Sequence, residues 1–368
     1  MRPLRARGAL GLVLACAITA RAAAEPPQTL HLTFVGDLMT HPALSGMADY
    51  SDIFRGVADV LQGSDLAFAN LEFPVDSTRP SAGYPSFNAH PDYVRAAAEA
   101  GLNVFSTANN HAFDGGVEGV FETICALSSL EGPRRLFFSG TRGNARRPFL
   151  PQGITVHGVR VGFIAATQFT NQGEGSQYIH VVDYLDPEAA AEFEELVRQT
   201  SPLFDLYIVS FHGDLEYRRE PSSAKRAFFH RLVESGATIV FGHHPHVLQE
   251  HELVTVHSRR RLIMYSMGNF ISGMARSAQP PDPDGLEALL MDSIMLNVDV
   301  EVEAGASSVK GTRAIPIVNY QPGKGGVVVL KMDDVAEGKT EASKAWRSNV
   351  EARRARMQGL LQAAGSGG

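Results

Sequence analysis

Short apolar runs alternate with amphipathic stretches from about residue 30 to 266, and this alternation limits the chain to a layered α/β fold. Residues 30–35, 66–69, 104–106, 160–166, 206–211, 239–241 and 262–266 read as strands. Between them, residues 51–62 ("SDIFRGVADVLQ"), 91–100, 117–130, 187–199 and 222–235 carry apolar positions at helical spacing. Gly101 stops the second of these helices, a usual C-terminal signal. From about Asp292 the rhythm changes. "SIMLNVDVEVE", "GTRAIPIVNY" and "GGVVVLKM" are β-rich with no long helix between them, and are expected to add strands to the same domain. Residues 336–368 read as a solvated basic helix with a flexible Gly/Ser tail. With 368 residues, 44 % of them hydrophobic, the chain is long and apolar enough to bury a core without disulfides.

The N-terminus "MRPLRARGALGLVLACAITARAAAEPP" runs from arginines through an apolar stretch to small residues. This is the layout of a secretory signal peptide, here residues 1–24. The apolar stretch is shorter than the roughly 20 residues a membrane-spanning helix needs. Cys16 as a lipoprotein acceptor is a second reading, which Leu14 fits poorly; a buried N-terminal helix is a third. The mature protein is therefore expected in the periplasm or cell envelope. Removal of the leader leaves Cys125 alone, so no internal disulfide is expected. Its setting, "VFETICALSSL", reads as a small core position. The formal net charge is −7, and the leader holds four arginines and no acid. The rest is more acidic still, which argues against the basic face that nucleic-acid binding uses.

Polar clusters stand just after the expected strands, where open α/β sheets form their sites. "FVGDLMTH" brings Asp37 and His41, "FANLEFP" brings Asn70 and Glu72, and "FSTANNHAFDGG" brings Asn109, Asn110, His111 and Asp114. "IVSFHGDLEY" adds His212, Asp214 and Glu216; "IVFGHHPHVLQ" adds His243, His244 and His246; "YSMGNFI" adds Asn269. Each alone has a plain reading. An Asp after Gly is usually a turn, a single His a hydrogen-bonded structural residue, and three histidines in a turn a polar loop. Together, carboxylate, amide and imidazole groups at successive strand ends point to one shared site. The mixed oxygen and nitrogen donors, with no thiolate, suit Mn²⁺, Zn²⁺ or Fe.

In this order, "GDLM", "ANLEFP", "ANNHAFDGG", "HGDLEY", "GHHPHVLQ" and "YSMGNF" resemble the capsule-synthesis protein CapA (PgsA) family, over residues 30 to about 275. That family is linked to poly-γ-glutamate capsule synthesis and export, and its fold belongs to the calcineurin-like metallophosphoesterase superfamily. The resemblance implies a two-sheet α/β sandwich with added C-terminal strands over residues 28–335, holding two divalent ions between strand ends. It implies Asp37, Glu72, Asn110, His212, His244 and His246 as metal ligands, with Glu72 bridging the ions and His111 as general acid. Asp114 and Glu216 are expected to orient ligating histidines or touch substrate. His41, Asn109, His243 and Asn269 are expected around them, His243 tolerating change best.

Two departures from the family pattern stand out. The first block of the superfamily is Asp-x-His, and here it reads Asp37-Leu38-Met39. Thioether is a poor ligand for these metals, so one ion is weakly held or His41 stands in from another place. After His212, relatives carry Trp and Gly, whereas Gly213 and Asp214 stand here, changing the pocket wall. The resemblance implies a metal-dependent hydrolase or transferase acting on a cell-surface polymer or phosphoester. The alternative is a non-catalytic accessory subunit working with the membrane subunits of a polymer synthesis and export complex.

Overall fold

The computed structural model describes residues 26–45, 47–130, 135–274, 279–322 and 326–363; the expected leader and Gly/Ser tail lie outside them. The chain runs through β1 (Gln28–Leu38), β2 (Leu66–Leu71), β3 (Val104–Ser106) and β4 (Phe137–Ser139). It continues with β5 (Gln152–Val156), β6 (Val159–Thr167), β7 (Leu206–His212), β8 (Ile239–His243), β9 (His251–Val256) and β10 (Arg259–Met264). Then come β11 (Asn269–Ile271), β12 (Asp292–Glu303), β13 (Ala306–Tyr320) and β14 (Val328–Lys331). One sheet has the order β14-β13-β12-β1-β2-β3-β4, with β11 beside β1; the other has the order β5-β6-β7-β8-β10-β9. β1 to β4 pair in parallel, as do β6, β7, β8 and β10, which requires crossover connections.

Alternation along each strand explains the stacking. In β2, Phe68 points between the sheets while Ala67 and Ala69 face outward; in β7, Ile208 and Val209 divide the same way. Both faces are buried, so these strands read as continuous apolar runs. Between the sheets Phe34, Phe68, Phe163 and Phe241 pack with ring centroids 4.7–6.3 Å apart. Burying each such ring contributes about 2 kcal/mol. Outside the first sheet, Tyr93, Val94 and Ala97 of the helix Pro91–Glu99 cover a second apolar layer. Outside the second sheet, Phe193 and Val197 of Pro187–Thr200 pack with Phe228 and Phe229 of Ser223–Glu234. The result is helix, sheet, sheet, helix, the expected two-sheet α/β sandwich, with antiparallel β12 to β14 widening the first sheet. Among the described residues no helix is long and apolar enough to cross a membrane.

The structure departs from the sequence reading in four places. Residues 51–62 form two short helices, Ser51–Phe54 and Ala58–Gln62. The break falls at Gly56, where β14 comes so close that a Cβ would lie 2.7 Å from the Val329 carbonyl oxygen. Cys125 is exposed rather than in the core, because the helix Gly116–Ser129 buries Val120, Thr123 and Leu127 on its other side. β4, β5, β9 and β11 have no counterpart in the sequence reading; the first three lie at sheet margins and β11 has 3 residues, too few to show a period. Finally, the helix Ser343–Ala363 is docked rather than merely solvated. Trp346, Val350, Arg353 and Met357 recur at helical spacing and are buried on the main core.

Candidate metal centre

Two glycines let the strand ends come together. A Cβ on Gly36 would meet the Gly268 oxygen at 1.9 Å, and one on Gly242 the Tyr265 oxygen at 2.1 Å. Each precedes a site residue, Asp37 or His243. Register then sets the neighbours: Asp37 pairs with Asn70 and Asn269, and His212 with His243. In the turn after β8, His244 has φ 97° and His246 φ 57°. Such left-handed backbone costs roughly 1–3 kcal/mol per residue and marks places where function holds the chain.

The first sheet brings oxygen donors and the second brings imidazoles. Glu72 Oε1 lies 3.7 Å from both His212 Nε2 and His246 Nε2. Asp37 Oδ2 is 3.3 Å from His246 Nδ1, and Asp37 Oδ1 is 2.9 Å from His243 Nδ1. Asn110 Oδ1 is 2.8 Å from His212 Nε2, which is 3.1 Å from His244 Nδ1. Three donor sets have their ligand atoms within 4.8 Å of one another: Asp37, Glu72 and His246; Glu72, His212 and His244; Glu216, His244 and His246.

Burial governs the electrostatics. Burial alone would raise the Asp37 carboxyl, but the His243 and His246 imidazoles beside it outweigh burial and hold the group well below the usual range. Glu72 goes the other way, pushed well up by burial and then by the Asp37 charge. Burial and the His244 charge push His212 well down. Burial and the His246 charge take His244 down to about 3. Burial would lower His246 too, but the Glu72 and Asp37 carboxylates raise it to about 9. Among the described residues no lysine or arginine pairs with either carboxylate; their ionic neighbours are all imidazoles. Asp37 Oδ2, Glu72 Oε1 and His243 Nε2 have no hydrogen-bond partner, a costly state for buried polar atoms. A divalent cation among these donors satisfies the orphaned oxygens, so the residues present fit such an ion.

The remaining sequence-predicted residues surround this cluster or stand off from it. Asn269 Oδ1 accepts from His246 Nδ1 at 3.0 Å. Asn109 braces β2 instead, its Nδ2 donating to the Leu71 oxygen at 2.8 Å. His111 Nδ1 donates to Asp114 Oδ2 at 2.7 Å, and the same oxygen accepts from Phe87 N at 2.8 Å. Glu216 is exposed at the edge of the third donor set. His41 belongs to none of the sets; its Nδ1 accepts from Gly273 N at 3.2 Å and its ring packs on Phe87. Met39 lies in the apolar layer outside the first sheet. Neither residue therefore supplies the imidazole missing from the first block. His243 is fully buried, with its Nδ1 2.9 Å from Asp37 Oδ1.

Two positions at this cluster escape sequence reasoning. Asn70 appears there only as a strand-end amide, yet its Nδ2 donates to Asp37 Oδ1 at 2.9 Å and lies 3.2 Å from His212 Nδ1, joining the two sheets. Lys225 is fully buried, and its Nζ donates to the Gly213 oxygen at 3.0 Å, just beyond His212. Burial lowers it to about 8, with Asp214 and Asp37 opposing. Only its position in the first turn of a helix is visible in the sequence, and no motif marks it.

The chain matches the family "Bacterial capsule synthesis protein PGA_cap" over residues 31–274. It is 29 % identical over 264 residues to the capsule biosynthesis protein CapA of Bacillus anthracis, covering 66 % of this chain and 60 % of that one. It is 26 % identical over 252 residues to the PGA biosynthesis protein CapA of Bacillus subtilis (strain 168), covering 66 % and 63 %. The chain thus spans less than two thirds of the length of either relative. A solved phosphatase from Mycoplasma pneumoniae superposes with a TM-score of 0.50 at 16 % identity, over 81 % of this chain and 96 % of that one, a likeness of fold. With most of its length matched, the chain belongs to the PGA_cap family of bacterial capsule synthesis proteins, built on a phosphoesterase-like two-sheet α/β fold.

Proposed function

We propose that this protein is an exported, metallophosphoesterase-like hydrolase or transferase of the cell envelope. Its substrate would be a phosphoester or a surface polymer of the kind named for its capsule-synthesis relatives. The observation that carries this is Glu72, whose carboxylate belongs to two donor sets, one with Asp37 and His246 and one with His212 and His244. Two divalent ions of Mn, Zn or Fe would share it. Bound there, they supply a Lewis acid for a phosphoryl or acyl oxygen and a hydroxide at neutral pH.

The chain's own residues prepare the rest. Asn110 and Asn70 face the two ring nitrogens of His212, so its imidazole is held from both sides. Asn269 takes His246 Nδ1, leaving Nε2 toward Glu72. His111 follows Asn110 in the chain, and Asp114 fixes its Nδ1–H. Nε2 is then the nitrogen from which the protonated ring hands a proton to a leaving group.

Metal content of the purified protein, with hydrolysis of bis(4-nitrophenyl) phosphate and of poly-γ-glutamate, tests this. Bound metal is expected, with turnover of one substrate that falls about 10²–10⁴-fold in His111→Ala. A second reading, the accessory subunit, is favoured by Met39, which leaves the first block without its imidazole. Metal without either activity, and unchanged capsule in cells carrying His111→Ala, would leave that second reading standing.

A further inference from the structure

Beside the metal centre lies a cleft of about 630 Å³ whose lining includes Asn110 and His244. Its apolar walls are Phe169, Tyr184, Leu185 and Leu215; its charged groups are Asp214 and Glu216, and its lining holds no lysine or arginine. Arg218 and Arg219 line an adjoining depression that shares Asp214, Leu215 and Ser222 with the cleft. Leu185 and Leu215 are 61 % and 60 % exposed, and they stand together on the wall of this one cleft. Tyr217, exposed in the adjoining depression, has its ring centroid 6.3 Å from that of His246.

Leu215 is held outward by its loop. Gly213 N donates to the His243 oxygen at 3.2 Å, Asp214 N to Gln168 Oε1 at 3.0 Å and Tyr217 N to the Pro245 oxygen at 2.8 Å. Ser222 N donates to Asp214 Oδ2 at 2.8 Å. Asp214 and Tyr217 have φ 96° and 62°, left-handed backbone that neither residue favours. A loop pinned and strained in this way presents its leucine as a fixed surface, next to the imidazoles of the second and third donor sets.

Resting on the metal-dependent reading above, we propose that the substrate carries an apolar, uncharged group beside its phosphoryl group, and that this group seats in the cleft. Burial of an aryl or alkyl group against these side chains is favourable. A run of carboxylates would instead meet Asp214 and Glu216, and among the described residues the lining of this cleft offers it no side-chain cation, so an extended γ-glutamyl chain does not lie along this wall.

Calorimetric titration of the Mn²⁺-loaded protein with methylphosphonate and phenylphosphonate separates the two claims. Methylphosphonate reads the metal centre alone, and the ratio of the two affinities reads the cleft. Phenylphosphonate is expected to bind about tenfold more tightly. Leu215→Ser, at an exposed position that does not threaten folding and adding no charge, is expected to reduce that advantage and leave methylphosphonate unchanged. A γ-linked hexaglutamate is expected not to displace phenylphosphonate. Equal affinity for the two phosphonates, or displacement by hexaglutamate, overturns the cleft assignment with the metal reading intact. Binding of phenylphosphonate alone, weakened by Leu215→Ser, sustains the cleft and refutes the metal centre. Binding of neither refutes both.

Discussion

Two clusters of buried charge in this molecule differ in how their hydrogen bonds close. Where the helix Ser343–Ala363 meets the start of β12, Arg353 Nε and Nη2 donate to Asp292 Oδ1 at 2.9 and 2.5 Å. Arg353 Nη1 donates to Asn349 Oδ1 at 3.1 Å, and Arg356 also binds Asp292. No polar atom of Asp292 or Arg353 is left without a partner. At the strand ends, Asp37 Oδ2, Glu72 Oε1 and His243 Nε2 are left over, and among the described residues the ionic neighbours of the carboxylates are all imidazoles. Buried ions that the chain satisfies by itself make a structural clamp. Buried ions that it leaves incomplete call for a partner from outside.

Crossed substitutions break this comparison most sharply. His246→Ala removes a ring that serves two donor sets, and is expected to weaken metal binding by more than about 100-fold, beyond the loss typical of residues that only orient ligands. Arg353→Met leaves Asp292 buried with one cationic partner fewer and is expected to cost about 3–5 kcal/mol of stability. Metal content per folded molecule should not change. Denaturant unfolding and elemental analysis of both variants check the crossing. If Arg353→Met strips the metal, or His246→Ala keeps it, the two clusters are not separate in kind.

A buried histidine outside both clusters sharpens the electrostatic side. Burial takes His180 down to about 4, with its hydrogen bond to the Ala165 oxygen opposing and the Arg142 charge adding. An unfolded chain protonates this ring below about pH 6.5, while the folded one does so only near 4. The unfolded state thus binds the extra proton in that window, so stability is full above pH 6.5, falls as pH falls and levels off near pH 4. The loss is about 3 kcal/mol. His180→Asn keeps a donor for Ala165 but cannot titrate. The difference in unfolding free energy between wild type and variant should therefore shrink steadily from pH 7 to 4.5. A constant difference would mean that His180 is not held neutral.

The same division decides what is legible in the sequence. Asp37, Glu72, Asn110, His212, His244 and His246 stand in motifs at the ends of strands buried on both faces, so pattern and position point the same way. β1, β2, β7 and β8 are readable for that reason, while β4, β5 and β9 lie at sheet margins. Asp292 and Arg353 are 61 residues apart, one opening a strand and the other inside a helix whose basic composition reads as solvated. Nothing local marks their pairing. Met39 shows a further limit. Two residues beyond Asp37, its side chain packs in the outer apolar layer, and a methionine there looks the same in sequence whether it faces a site or a core.

His243 lies on the boundary between the two kinds of buried polar group, and its effect should be the smallest. It belongs to none of the donor sets. Its Nδ1 stands 2.9 Å from Asp37 Oδ1, and its ring lies edge-on to Phe241 with centroids 5.0 Å apart. Asp37 is therefore held by His243 and Asn70 on one oxygen while the other faces His246. Removing the imidazole leaves every member of the donor sets in place and frees one of them to turn. The loss should then be one of placement, about 10–100-fold in metal affinity for His243→Leu, which fills the volume without a donor. His243→Gln retains an N–H that can reach the carboxylate and should lose clearly less. Metal titration of the two variants distinguishes the causes. Equal losses would assign His243 to packing against Phe241. Full affinity in both would show that Asn70 and His246 alone orient Asp37, making His243 the replaceable histidine of its turn.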